Sequence, residues 1–159
     1  MRALRTIAIT GLIVGAMDIT AACIQAISRG ATATRLLQFV ASGLIGQRAF
    51  QGGAGTAALG LGLHFVIAFS LVAVFYAASR RIVFLRRQAA ISGIIYGLVV
   101  YAFMNLVVLP LSAAKPRHTL SGDLIQIGIH MFVIGLPTAL LIRRFSGANA
   151  TGMLSRCHD

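Results

Sequence analysis

Long apolar runs alternate along this chain with short, mostly basic interruptions. Four runs reach or approach the length of a membrane crossing: about Thr6 to Ser28, Ala54 to Ser79, Ala89 to Ala114 and Leu124 to Ile142. A hydrocarbon layer ~30 Å thick is crossed by ~20 helical residues, each advancing about 1.5 Å. Backbone groups in lipid must bond within their own segment, so such runs are helices rather than isolated strands. Between the first two runs, Thr34 to Phe50 (TRLLQFVASGLIGQRAF) is amphipathic, too short to cross, and bracketed by Arg35 and Arg48. It predicts an interfacial or re-entrant helix. The expected fold is therefore all-α: an integral membrane four-helix bundle with one additional short amphipathic helix between the first two spans.

The interruptions have their own character. Gln51-Gly52-Gly53-Ala54-Gly55 is expected to be a flexible joint into the second span. Arg80 to Arg87 is a tight basic turn, and Lys115-Pro116-Arg117-His118 a short turn closed by Ser121 or Thr119 as a helix cap. After Phe145 the chain becomes small and polar, which predicts a single membrane domain over 1–145 and a flexible tail over 146–159.

Composition strengthens the membrane reading. Apolar residues make up 58% of the 159 and charged residues 11%, with a mean hydropathy of +0.88; a soluble domain carries about a quarter charged residues. The formal charge of +11 would suggest nucleic acid in a soluble protein. Here the basic residues flank the apolar runs, as Arg2/Arg5, Arg80/Arg81, Arg86/Arg87 and Arg143/Arg144, so they point to anionic lipid headgroups and not to nucleic acid. A cytoplasmic N-terminus puts nine Lys and Arg inside (Arg2, Arg5, Arg80, Arg81, Arg86, Arg87, Arg143, Arg144, Arg156) and five outside (Arg29, Arg35, Arg48, Lys115, Arg117). Both ends are thus expected in the cytoplasm of a bacterial-type inner membrane. Arg2 and Arg5 before an apolar stretch, and Thr20-Ala21-Ala22-Cys23, distantly resemble a secretory or lipoprotein signal. Asp18 interrupts the region that a signal keeps apolar, so the segment reads as a retained first span.

Small and polar residues mark the helix faces. Gly11 and Gly15 form a G-x-x-x-G pair, and Asp18, Ala22 and Gln25 continue that stripe. Gly93 and Gly97 repeat the pair in the third span, with Tyr101 and Asn105 continuing the row. Gly60 and His64 lie together in the second span, and Asp123, Gln126, His130 and Pro137 share a stripe in the fourth. Small residues admit a neighbouring helix, so Asp18 should face protein, since a carboxyl group facing lipid costs several kcal/mol. Asp18, His64, Asn105 and His130 all fall about 10 to 15 Å from the outer end of their spans. They form one polar layer, which either ties the helices together or binds a small molecule or proton. Pro110 and Pro137 should kink the third and fourth spans.

Other chemistry is less well supplied. His64 and His130 could in principle ligate a haem iron from opposite sides, and with Asp18 they have the ligand types of a two-histidine, one-carboxylate metal site. No attachment motif or local ligand spacing accompanies them, so no cofactor is expected. Cys23 reads as a small apolar residue and Cys157 beside His158 offers too few ligands. The chain has no Glu, and its acids are Asp18, Asp123 and Asp159; no nucleophile with a base is evident, so an enzyme is not expected.

The halves echo one another. Ile9-Thr10-Gly11-Leu12-Ile13-Val14-Gly15 resembles Ile91-Ser92-Gly93-Ile94-Ile95-Tyr96-Gly97, and Gly62-Leu63-His64 resembles Gly128-Ile129-His130. The same order of matches suggests a duplicated hairpin, giving parallel repeats with the amphipathic segment inserted in the first copy; glycine-spaced apolar helices also look alike by chance.

The stretch from His64-Phe65-Val66-Ile67-Ala68-Phe69 to Tyr76-Ala77-Ala78-Ser79-Arg80, then Gly93-Ile94-Ile95-Tyr96-Gly97 and Tyr101-Ala102-Phe103-Met104-Asn105-Leu106-Val107-Val108-Leu109-Pro110-Leu111-Ser112, resembles a family of small uncharacterised bacterial four-helix inner-membrane proteins. The resemblance implies topology and bacterial origin but no activity. The first expectation is a non-enzymatic structural or accessory membrane subunit, with glycine faces serving a homo-oligomer or a larger membrane complex. The alternative is a small transporter or channel-like protein with Asp18, His64, Asn105 and His130 as its polar site; a haem- or metal-binding redox subunit trails both.

Overall fold

A computed structural model describes residues 2–114 and 119–154, and among these the secondary structure is entirely helical. The expected turn at 115–118 and the last residues, 155–159, with Arg156 and Cys157, lie outside the described residues. Helix α1 spans Arg2–Ser28, α2 Ala33–Ile45, α3 Gly53–Arg81, and α4 is a single turn, Phe84–Arg87. Helix α5 covers Ala89–Leu111 and α6 Leu120–Phe145, after which the helical backbone continues to Leu154. Four of these helices, α1, α3, α5 and α6, are long and apolar enough to cross a membrane.

Local chemistry explains the boundaries. Helix α1 closes where Gly30 takes φ +79°, a backbone conformation that costs glycine nothing. Thr32 then caps α2 by accepting from the Arg35 N–H at 3.1 Å. Helix α2 stops at Ile45 because Gly46 turns at φ +64°, and 46–51 forms a 3-10 turn. The link expected to be flexible at 51–55 is a defined turn: α3 begins at Gly53, and the Thr56 hydroxyl donates to the Ala49 carbonyl at 2.6 Å. The third span ends at Leu111 rather than Ala114, because Ser112 turns extended and its hydroxyl bonds back to Leu109 O at 2.9 Å. The fourth begins at Leu120, four residues earlier than its apolar run. Thr119 caps it by accepting from the Gly122 N–H, and the polar residues Ser121 and Asp123 suit a first turn.

Glycines set the contact between α1 and α3 and that between α5 and α6. Gly11 and Gly15 of α1 receive the rings of Phe69 and Phe65 from α3. Gly93 and Gly97 of α5 lie directly on the α6 backbone, at Gly135/Leu136 and at His130/Met131, where a Cβ would overlap main-chain atoms. The echo between the halves thus recurs in the packing. In each hairpin the second glycine meets the region of the histidine, and the first meets residues about five positions further on.

At the Arg80/Arg81 end the helices close on a core of Val72, Phe75, Ala89, Ala139 and Ile142. Tyr96 joins α5 to α3 there: its hydroxyl donates to Leu71 O at 2.7 Å, and its ring stands edge-on to Phe75 with centroids 4.9 Å apart. Toward the opposite end α2 joins the wall beside α3 and α5. Gly60 of α3 receives the Leu37 main chain, Gln38 Nε2 donates to Gly53 O at 3.1 Å, and the Ala113 N–H donates to Gly43 O at 3.1 Å. Gly60 therefore serves α2 rather than sharing a function with His64, which faces α1.

Candidate functional site

A cavity of about 560 Å³ occupies the half of the molecule toward Arg29. Its size suits a small organic molecule, for which pockets run roughly 300–1,000 Å³. Helix α1 contributes Gly15, Asp18, Ala22 and Gln25; α3 contributes His64, Ile67 and Leu71; α5 contributes Met104, Asn105 and Val108; α6 contributes Asp123, Gln126, His130 and Ile134. Helix α2 supplies an apolar side through Leu36, Phe39, Val40 and Gly43, positions that recur at helical spacing along one face. Arg29 and Gly122 lie at the rim, where the guanidinium is close against the glycine.

Asp18, His64, Asn105 and His130 all stand on this one wall. His64 Nε2 is 2.9 Å from the carbonyl of Gly15. A carbonyl only accepts, so Nε2 carries the hydrogen, and Nδ1 is left toward Asp18, 4.0 Å from its Oδ2. His130 is the mirror case. Its Nδ1 donates to Gln126 O at 2.8 Å, which leaves Nε2 as its other polar atom, and Tyr101 stands edge-on to the ring. Asp18 lies within electrostatic reach of both histidines. Asn105 donates from Nδ2 to Tyr101 O at 2.9 Å.

Helices α5 and α6 are locally unwound at this level. Met104–Val108 and His130–Gly135 are π-helical turns, in which the N–H groups of Leu109 and Leu136 reach carbonyls five residues back. Each turn lies just before a proline. Pro110 and Pro137 lack an N–H and crowd the carbonyl four residues earlier, and one extra residue per turn makes room for the ring. Where kinks were expected, the structure has π turns ahead of both prolines, and these turns contain Asn105 and His130 of the cavity wall. Sequence reasoning missed these turns, for which a polar residue five to seven places before a proline was the available signal. It also missed the apolar wall given by α2, whose 36, 39, 40, 43 spacing was visible, and the rim at Arg29.

Comparison of the chain with protein families, with curated proteins and with solved structures finds no match. The chemistry has to be read from the cavity itself. Among the described residues no three His, Cys or acidic side chains gather as a metal site would require. The arrangement sets a carboxylate, Asp18, among two histidines and Asn105 on one side of a chamber whose α2 side is apolar.

Proposed function

We propose that this is a small, non-enzymatic, transporter-like protein of a bacterial inner membrane, which binds a small molecule in the outer half of the bilayer. Both termini are cytoplasmic in this reading, following the nine-to-five distribution of Lys and Arg. The observation that carries it is the cavity of about 560 Å³ with Asp18, His64, Asn105 and His130 on its wall.

The pattern of hydrogen bonds favours this over a purely architectural polar layer. Bonds that hold a bundle together must run between helices, and of the hydrogen bonds of these four only that of His64 to Gly15 does so, with the 4.0 Å approach of His64 to Asp18 beside it. Asn105 and His130 bond within their own helices, four residues back, and so contribute little to assembly. Ionisable groups inside a membrane also mark binding and transport pathways more often than packing.

Thermal unfolding of the protein in mild detergent, against a panel of small cationic, anionic and neutral organic compounds, tests the proposal, because a ligand bound only by the folded state raises Tm. At least one class should stabilise the wild type and fail to stabilise Asp18→Asn. If no class does, the polar layer is a packing feature, and the accessory-subunit reading takes its place.

A further inference from the structure

We infer that the ligand is an organic ammonium ion, a protonated primary or secondary amine on an apolar body. This rests on the binding reading above and names its substrate class. The starting point is where the donors of the cavity wall go. His64 turns its N–H to Gly15 O, His130 to Gln126 O, Asn105 to Tyr101 O, and the Ser112 hydroxyl to Leu109 O. Each of these four donors, which stand beside or near Asp18 on the wall, is satisfied by a main-chain carbonyl, while the amides of Gln25 and Gln126 and the Arg29 guanidinium line the cavity further toward its rim. What remains for a ligand around Asp18 is mostly acceptor: the Asp18 carboxylate, the Asn105 carbonyl oxygen, and on each histidine the ring nitrogen that is not turned to a main-chain carbonyl.

A wall of acceptors around a carboxylate complements a guest that brings donors and positive charge. A carboxylate or phosphate guest beside the histidines would find Asp18 opposing it. A neutral apolar guest would fill the chamber but leave the carboxylate without a counter-charge, which is costly in a low-dielectric site. An ammonium group supplies both the charge and two or three N–H donors, and charge-assisted bonds to a carboxylate are the strong ones. The other charged and titratable groups facing the cavity do not reverse this. Arg29 follows the end of α1, eleven residues after Asp18 and a rise of about 16 Å along the helix axis; its guanidinium is close against Gly122 at the rim, next to Asp123 in the chain. Tyr101 brings its ring to His130, and α2 lines the cavity with no charged side chain. Leu36, Phe39, Val40, Ile67 and Leu71 suit an aryl or alkyl body rather than a hydrated inorganic cation.

Equilibrium binding to the purified full chain tests this with a matched series: phenethylamine, 2-phenylethanol, 3-phenylpropanoate and phenyltrimethylammonium, at neutral pH. Phenethylamine should bind tightest. The alcohol and the propanoate should bind at least about tenfold more weakly, and the quaternary ion, which keeps the charge but has no N–H, should fall between. Asp18→Asn should weaken phenethylamine binding by about ten- to a hundredfold, and Asp18→Glu should restore part of it. Equal or tighter binding of the propanoate or the alcohol would overturn the amine assignment and leave the ligand site standing. Failure of the whole series together with the wider panel would overturn both. The wild-type series decides the matter even if a variant fails to fold.

Discussion

The two halves of this molecule are built from the same apolar helices and do opposite things with them. Toward Arg80/Arg81 the helices meet through Val72, Phe75, Ala139 and Ile142, each at most 1% exposed, and Tyr96 bonds across from α5 to α3. Toward Arg29, where α2 joins the wall, the same helices stand around a chamber. The border falls where α5 and α6 unwind into π turns ahead of Pro110 and Pro137. Apolar composition alone therefore does not decide whether a membrane helix packs or makes room; glycine contacts and proline positions do.

The strongest way to break the contrast is to spoil a glycine contact. Gly97→Leu should leave little folded protein, a loss above about 3 kcal/mol, since its side chain would have to displace the α6 backbone at His130; unfolding in mixed detergent micelles reads this directly. Phe75→Ala comes next, at about 3 kcal/mol, because the closed half cannot collapse around the void it leaves. On the open side the same assay should report far less. Asp18→Asn should change stability by less than about 1 kcal/mol, as Asn keeps the side chain's shape and His64 Nδ1 at 4.0 Å is beyond hydrogen-bond distance, while ligand-dependent stabilisation disappears. Thr119→Ala should cost about 1 kcal/mol by removing the α6 cap, without touching the cavity wall. A large loss from Asp18→Asn without ligand would erase the distinction between the halves.

Much of the closed half was legible in the sequence. Runs of ~20 apolar residues and the pairs Gly11/Gly15 and Gly93/Gly97 locate the long helices and their contacts, because helical period and small side chains leave a direct trace. The open half was legible only in its residues. Asp18, His64, Asn105 and His130 could be placed at one depth by counting along straight helices, but not which nitrogen each histidine keeps, since that depends on a carbonyl of a neighbouring turn or helix. The π turns shift the register that a uniform 3.6-residue period assumes, and the place of α2 depends on contacts such as Gly60 with Leu37 that no local pattern encodes. The ends of α5 and α6 also moved, because Ser112 and Thr119 turn the backbone by their own hydrogen bonds, which hydropathy does not register.

One labelling experiment sets the halves against each other most directly. In protein whose Cys23 and Cys157 are replaced by serine, Asn105→Cys and Val100→Cys place a thiol on the same helix, one in the cavity wall and one at a position 2% exposed. A small, membrane-impermeant thiol reagent added from the Arg29 side should modify Cys at 105 and spare Cys at 100, and phenethylamine should slow the reaction at 105. Equal protection of both positions, or labelling of 105 only from the Arg80/Arg81 side, would contradict a cavity open toward Arg29 and closed toward Arg80/Arg81.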